Sequence, residues 1–255
     1  MSNFNFQTNQ TYGNLSGADF NWFATHHHYS NTASWLIYQN SAQELQTPPK
    51  TIGNAKGDQI SFKAAVLANE TQFNNQTMVI LSNPASQKTL DSDADFEAFH
   101  HASTTDRRLR YFDKQLQPNQ FKINFAGAFV TDMITTRWDS NPENANVWKN
   151  ISRQMIVDQL LLTATDLLTH NQCQHQALDL VLAIHKSSRS DKIAALLVDQ
   201  LQQIKTGGRT VAPLFDQTVQ AGQVRLFRLP CHPGIQGKGA QRTIDDVRKE
   251  IKRLF

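Results

Sequence analysis

Short apolar runs that stop at turn-forming residues recur through most of the chain. Four of them predict buried strands, because each is compact, rich in β-branched or large apolar residues, and bounded by polar segments. These runs cover residues 77–81, 126–134, 178–184 and 224–229. A further run at 60–67, followed by a polar turn segment at 69–76, predicts a hairpin that leads into the first of the four strands.

Segments with helical periodicity lie between the predicted strands. The clearest covers residues 191–204, where apolar residues fall on one face and Gly207-Gly208 follows as a stop signal. Further helices are predicted at 33–45, 95–116 and 142–169, the last one broken once. A final helix is expected to begin at Thr243, with Asp246 three residues on as a capping-box signal. Its apolar stripe consists of Ile244, Val247, Ile251 and Leu254.

Core strands that are each followed by a helix favour parallel pairing through right-handed crossovers. We therefore expect an α/β fold, specifically a three-layer α/β/α sandwich with a short, mainly parallel four-stranded sheet preceded by a hairpin. Residues 1–57, which begin with a stretch rich in Asn, Gln and Thr, are expected to form an N-terminal arm with a short helix. Residues 58–255 are expected to form the α/β/α domain.

Composition narrows the class of protein. The chain has 255 residues, 39% of them hydrophobic, and a net charge of only +3, which permits nucleic-acid binding without indicating it. Its two cysteines, Cys173 and Cys231, are far apart and form no Cys-x-x-Cys unit, so neither a disulfide framework nor a zinc knuckle is expected. No signal peptide and no membrane-spanning apolar run is recognised, which predicts a cytoplasmic protein without a membrane partner.

Polar residues follow each predicted core strand. Because the carboxyl ends of parallel strands collect the functional loops of such a sheet, these residues are expected to converge on one edge. The loops at 82–86 and 232–234 are predicted to form the rim of one polar pocket. The polar strand ends are Ser82-Asn83-Pro84-Ala85-Ser86, Thr131-Asp132, His185-Lys186-Ser187 and His232-Pro233-Gly234.

Three side chains at these ends are candidates for catalysis. Asn83 carries a carboxamide that can orient water or a nucleobase edge, although an Asn-Pro turn can also simply end a strand. His232 can stabilise a developing negative charge, or can be a solvated residue in a turn. Asp132 can orient a ligand, act as a base or cap the following segment.

Basic residues cluster in two places. Arg107 and Arg108 precede a pair of aromatic residues, and Lys238 and Arg242 flank the last loop, an arrangement that suits a phosphate backbone with stacked bases. A solvated helix face is the alternative for the second group. The histidine runs at 26–28 and 100–101 lack neighbouring acidic or cysteine ligands, so no metal is expected. Nucleotide-binding glycine motifs are also absent, and no cofactor is predicted.

The order of these motifs resembles that of the uracil-DNA glycosylase superfamily. Residues 79–86, with Asn83-Pro84 near their end, resemble its first motif in the branches that carry Asn-Pro, and residues 129–132 fall where its second strand reads the base. Residues 180–184 match the third strand, and residues 229–234 resemble the closing His-Pro motif. The resemblance extends over residues 58–255 and is greatest to an uncharacterised bacterial branch with an Asn-Pro first motif and a closing His-Pro loop.

The resemblance implies roles for individual residues. Asn83 would position the attacking water, His232 would stabilise the departing base, and Asp132 would read the base edge. Three positions depart from the family pattern, since Ser82 replaces a Gly, Asp132 an Asn and Gly234 a Ser. The residues implied around the base are Ser82, Pro84, Ser86, Thr131, Pro233 and Gly234, and those implied along the DNA groove are Arg107, Arg108, Lys238 and Arg242.

Three hypotheses about function follow. The first is an enzyme that hydrolyses the N-glycosidic bond of a damaged or mismatched base flipped out of DNA. The second is a nucleic-acid or nucleotide binding protein with the same fold and no catalysis. The third is a small-molecule enzyme, or a structural protein, that uses the same pocket.

Overall fold

The chain folds as an α/β protein, which confirms the predicted class. The computed structural model describes residues 17–27, 29–36, 73–82, 116, 119–125, 127–135, 145–170, 177–184, 187–230, 247 and 249–255. Within these residues the strands form one mixed sheet of six, in the order β1-β3-β2-β4-β5-β6. The sheet has six strands and not four, because a short antiparallel strand is added at each edge.

The described parts of the chain form six strands and six helices. The strands are β1 (Ala33–Trp35), β2 (Asn74–Leu81), β3 (Ala128–Asp132), β4 (Leu178–Leu182), β5 (Val224–Arg228) and β6 (Lys252–Arg253). The helices are α1 (Gly17–Thr25), α2 (Tyr29–Thr32), α3 (Ala145–Trp148), α4 (Arg153–Thr169), α5 (Ser188–Lys205) and α6 (Pro213–Gln220).

The four inner strands run parallel to one another. β2 lies between β3 and β4, with Val79 opposite Val130 on one side and Val181 on the other. β5 continues the parallel arrangement beyond β4, with Leu182 opposite Arg228. The carboxyl ends of β2, β3, β4 and β5 therefore meet at the same edge of the sheet.

The inner strands bury both of their faces, as expected for parallel strands. In β2, Met78 and Ile80 belong to one apolar cluster, whereas Val79 and Leu81 belong to a second cluster on the opposite face. This alternation follows from the two-residue period of a strand. We call the side of Met78 the first face and the side of Val79 the second face.

Helices α4, α5 and α6 cover the first face. α4 begins at the cap residue Ser152, whose hydroxyl accepts a hydrogen bond from the Met155 amide at 3.1 Å. α5 begins in the same way at Ser187, which accepts from the Ser190 amide at 3.2 Å. The break predicted within 142–169 is present, because α3 ends at Trp148 and α4 begins at Arg153.

A compact turn and the C-terminal segment contribute to the second face. The Asn119 carboxamide holds the turn together by accepting from the amides of Phe121 at 3.2 Å and Ile123 at 3.0 Å. Ile123 and Phe125 pack in the same apolar cluster as Val247 and Ile251.

Residues 17–27 and 29–36, which we call the N-terminal unit, pack against the first face and the edge of β3. β1 pairs antiparallel with β3, and Trp35 lies opposite Phe129. The Trp35 ring is fully buried, and its indole N–H donates to the Asn75 side-chain oxygen at 2.9 Å. The unit therefore belongs to the core of the sheet, although it falls within the segment expected to be an arm.

Four expectations about secondary structure need correction. The start of the helix expected at 33–45 is strand β1, because pairing with the distant β3 outweighs local helical preference. Residues 74–76, expected in a turn, are the first part of β2. The final helix ends earlier than expected, because Val247 and Glu250 are helical whereas Lys252–Arg253 is a strand that pairs with β5. α6 was not predicted, although Pro213 at its first turn is a helix-start signal.

Other expectations lie outside the described residues. They are the hairpin strand at 60–67, the helix at 95–116 apart from its last residue, and the boundary between residues 57 and 58. None of the helices in the described ranges has the length and apolar character needed to cross a lipid bilayer.

Substitution of Leu180 tests the first-face core. Leu180 lies in β4 between β2 and β5 and is buried. We expect Leu180→Ala to lower the free energy of unfolding by about 3 kcal/mol, because it leaves a cavity among packed side chains. Met155→Ala is the control, since Met155 is 59% exposed, and its effect should stay within about 0.5 kcal/mol. Urea unfolding of both variants measures the difference, and equal effects would contradict this description of the core.

Candidate functional site

The carboxyl end of β2 is the topological switch point of the parallel sheet. The strand that follows β2 in the chain, β3, lies on one side of it, and the next, β4, lies on the other. Connections that leave in opposite directions open a crevice outside the strand ends, and open α/β sheets bind ligands in that crevice. The residues that follow β2 are therefore at the position where this architecture favours a site.

Ser82 and Asp132 lie next to each other at this edge. Asp132 is opposite Leu81 in the register of β2 and β3, and both Ser82 and Asp132 are buried. Backbone hydrogen bonds continue past the strand ends, from the Met133 amide to the Leu81 carbonyl at 2.8 Å and from the Ile134 amide to the Ser82 carbonyl at 3.1 Å. The backbone around the two polar side chains is thus fixed by the sheet itself.

The Asp132 and Thr131 side chains are on opposite faces of the sheet. By strand alternation Asp132 shares the second face with Val130, whereas Thr131 is on the first face. The Thr131 hydroxyl donates to the Thr32 carbonyl at 3.3 Å, just before β1. Its contact in the structure is therefore with the N-terminal unit, and its role as a ligand contact stays a prediction.

The remaining predicted site residues are not among those that the structure describes. They are Asn83, Pro84, Ser86, His232, Pro233, Gly234, Arg107, Arg108, Lys238 and Arg242. The structure does describe the strands that precede two of these loops. Asn83 follows Ser82 directly, and His232 comes four residues after the end of β5.

Arg228 is a polar residue at the same edge that the sequence analysis missed. It ends β5, and one terminal nitrogen (Nη1) lies 2.5 Å from the Asp191 carboxylate in the first turn of α5. The other terminal nitrogen, Nη2, is buried and has no hydrogen-bond acceptor among the residues that the structure describes. Burying an unsatisfied donor costs about 1–3 kcal/mol, so this nitrogen is suited to an acceptor supplied from outside the fold. An arginine at the last position of a predicted buried strand was the available sequence signal.

Arg225, three residues earlier in β5, provides a contrast. Its guanidinium pairs with both oxygens of Asp179 at 2.7 Å and donates to the Phe121 carbonyl at 3.3 Å. Burial raises the pKa of the Asp179 carboxyl, and the adjacent guanidinium of Arg225 opposes that shift. Arg225 is therefore a structural residue at the amino end of the strands, on the opposite edge from Arg228.

Metal ligands do not converge within the described residues, where no group of three or more His, Cys, Asp or Glu side chains is arranged to hold an ion. The described part of the edge therefore offers hydrogen-bonding and ionic contacts, namely a buried carboxylate, a buried hydroxyl and a guanidinium. These groups can bind an amide-like edge and an anionic group. No family model, curated protein or solved structure matches the chain.

The same substitution at the two arginines separates a structural role from a binding role. Arg225→Met should lower the free energy of unfolding by about 2 kcal/mol or more at neutral pH, because it leaves the buried Asp179 carboxylate without its partner. Arg228→Met should change it by less than about 1 kcal/mol, because loss of the pair with the half-exposed Asp191 is offset by removal of the unsatisfied donor.

Urea unfolding at pH 7 and at lower pH measures both effects. The penalty for Arg225→Met should shrink on acidification, as the Asp179 carboxyl takes up a proton in the variant. A loss at Arg228 as large as that at Arg225 would show that Arg228 is needed for folding and would remove the argument for a free donor.

Proposed function

We propose that this chain is a uracil-DNA glycosylase-like protein that hydrolyses the N-glycosidic bond of a damaged or mismatched base in DNA. The observation that carries the proposal is the position of Ser82 at the switch point of four parallel strands, with Asp132 beside it at the end of β3. Asn83, the first residue of the Asn-Pro motif, follows at that point, and Asp132 occupies the position expected to read the base.

The arrangement of the sheet also supports the proposal. Four inner parallel strands, buried on both faces, fit the three-layer α/β/α arrangement with a four-stranded sheet that the resemblance implies. β1 and β6 then count as additions at the two edges. Since one fold supports many functions, this fit supports the fold, and the proposed activity depends on the residues at the edge.

The proposed reaction is attack of water on C1′ of the nucleotide. The C1′–O bond forms as the C1′–N bond breaks, the bonding electron pair leaves with the base nitrogen, and the water releases a proton to solvent. The Asn83 carboxamide would orient the water, and a hydrogen bond from His232 would stabilise the negative charge on the departing base. The enzyme would lower the barrier by positioning the water and by stabilising charge where it develops.

Asp132 would recognise the base rather than attack the sugar. Its carboxylate is buried at the strand end, where a hydrogen bond to a base N–H is stronger than in water. An ionised carboxylate accepts only, so it selects a base that presents donors. Arg228 lies at the same edge but on the first face of the sheet, the opposite face from Asp132, and would contribute a cationic donor suited to a phosphate of the DNA.

Base release from DNA is the decisive experiment. The purified full chain would be incubated at low salt with oligonucleotides that contain uracil, hypoxanthine or a mismatch, and alkali would then reveal abasic sites. We expect release of a base by the wild type and a loss of at least about 100-fold in Asn83→Ala and in His232→Ala, the range of general acid–base or oxyanion contributions. Asp132→Asn should change which base is preferred.

Asn146→Ala is the matched control, because Asn146 is exposed in α3, and its activity should equal that of the wild type. The absence of base release with all three substrates, from a folded protein that binds DNA, would favour a binding protein without catalysis. The absence of both release and binding would reject the nucleic-acid reading and favour a small-molecule ligand.

The salt dependence of DNA binding tests the proposed groove separately. Each cation that contacts a phosphate releases counterions, so log Kd rises with log salt with a slope of about 0.9 per contact on duplex DNA. Replacing Arg107, Arg108, Lys238 and Arg242 with Gln should lower this slope by about one for each contacting residue. Lys192→Gln, at an exposed position in α5, is the control and should leave the slope unchanged. Equal slopes for all variants would place the DNA elsewhere on the protein.

A further inference from the structure

Two cationic residues, which we call the cation pair, lie opposite each other on β5 and β6 at the carboxyl edge of the sheet. Arg228 is directly opposite Lys252 in the register of the two strands, and residues in such an antiparallel pair point to the same face. That face is the first one, because Leu226 belongs to the first-face cluster and Phe227 to the second-face cluster. Lys252 is exposed, and its Cβ is expected about 5 Å from the Cβ of Arg228.

The positive charge of the cation pair is only partly neutralised. Arg228 Nη1 lies 2.5 Å from the carboxylate of Asp191, which is half exposed in the first turn of α5. Among the residues that the structure describes, no other carboxylate forms an ion pair with Arg228 or Lys252. Like charges directly opposite each other destabilise a sheet. The group therefore keeps one net positive charge, and a bound anion would relieve the repulsion.

The Arg228 guanidinium also has a hydrogen-bond donor that its neighbours do not use. Nη2 is buried without an acceptor in the described part of the chain, whereas 20% of the side chain as a whole is exposed. An acceptor at the surface would reach this nitrogen after a small outward turn of the guanidinium about the bond from Nη1 to Asp191. Such an acceptor is best supplied by an anion, because a hydrogen bond between two ionised groups is stronger than a neutral one.

We infer that the cation pair binds a phosphodiester group of a nucleic-acid strand, with Arg228 Nη2 and the Lys252 ammonium donating to its non-bridging oxygens. The charges match, because a phosphodiester carries one negative charge, whereas a terminal phosphate carries about 1.5 to 2 at pH 7. That the strand is DNA rests on the proposed function, whereas the match of charge and donors does not.

The position of the cation pair indicates which phosphate it would hold. The pair lies on the opposite face from Asp132, and three interstrand spacings separate β5 from β3. At about 4.8 Å for each spacing the separation along the sheet is about 14 Å. A stacked strand has a phosphate about every 3.4 Å, so the pair would hold a phosphate about four nucleotides from the flipped base. The strand would thus cross the carboxyl edge from one face to the other, with the cation pair as its anchor.

Binding of an undamaged strand tests the site without base release. The probe is a fluorescein-labelled single-stranded oligothymidylate of about ten nucleotides, and fluorescence anisotropy at several salt concentrations gives its Kd for the full chain. Arg228→Met should weaken binding about tenfold at low salt through loss of a charge-assisted hydrogen bond, and Lys252→Gln about threefold through loss of an exposed ionic contact. Each should lower the slope of log Kd against log salt by about 0.7, the value for one phosphate contact on a single strand.

Two controls separate the site from a general effect of charge. Lys205→Gln removes one positive charge from an exposed position at the other end of α5 and should leave the affinity and the slope unchanged. An oligothymidylate with neutral methylphosphonate linkages keeps the bases and lacks the backbone charge. Wild type and Arg228→Met should therefore bind this second probe with affinities within about twofold of each other.

The two variants also protect the test against a folding defect. Lys252 lies at an exposed position, so Lys252→Gln decides the question if Arg228→Met does not fold. The inference is overturned if the wild type does not bind the oligothymidylate, or if a folded variant of either cation keeps the wild-type slope. Binding that depends on both cations, without base release from any substrate, would support the inference and reject the proposed hydrolysis. Base release by a chain whose DNA binding does not need the cation pair would do the reverse.

Discussion

Every other feature of this fold depends on the burial of β2. The strand is covered on both faces and paired on both sides, so that Met78, Val79 and Ile80 are almost completely buried. A strand in this position needs parallel partners for its backbone and an apolar layer above and below it. Helices α4 to α6 and the N-terminal unit provide the layer on the first face, and the turn at 119–125 contributes to the second.

Polar residues lie at both ends of β2 and at the neighbouring end of β3, and they differ in kind. At the amino end, Asn74 and Asn75 are buried and bonded to neighbouring segments, including the Asn124 carbonyl, the Trp35 indole and the His170 carbonyl. These side chains are used in holding the structure together. At the carboxyl end, Ser82 and Asp132 are positioned by backbone hydrogen bonds. The chemistry we propose is therefore located at the carboxyl edge, where the backbone itself fixes the positions of the polar residues.

Local sequence patterns were sufficient to predict the inner strands and the long helices. Strands that are buried on both faces appear in the sequence as compact apolar runs, and α5 has a clear apolar face. They were insufficient where distant pairing decides the structure. Ala33–Trp35 is a strand only because β3 is beside it, and Asn74-Asn75 is tolerated in β2 only because remote partners satisfy both amides. The site was predictable as an edge of the sheet, from the polar strand ends. Arg228 was not, because its unsatisfied nitrogen is a property of the packed structure.

The strand order also constrains how the chain folds as it is synthesised. β2 ends at residue 81, yet its second neighbour begins at residue 178 and the strand beyond that begins at residue 224. At a translation rate of about 5–20 residues per second, the apolar edge of β2 waits for several seconds until β4 has been made. During this interval the N-terminal unit and β3 can already shield the other edge. One side of the central strand can thus be paired early, whereas the other side has no partner until the second half of the chain has emerged from the ribosome.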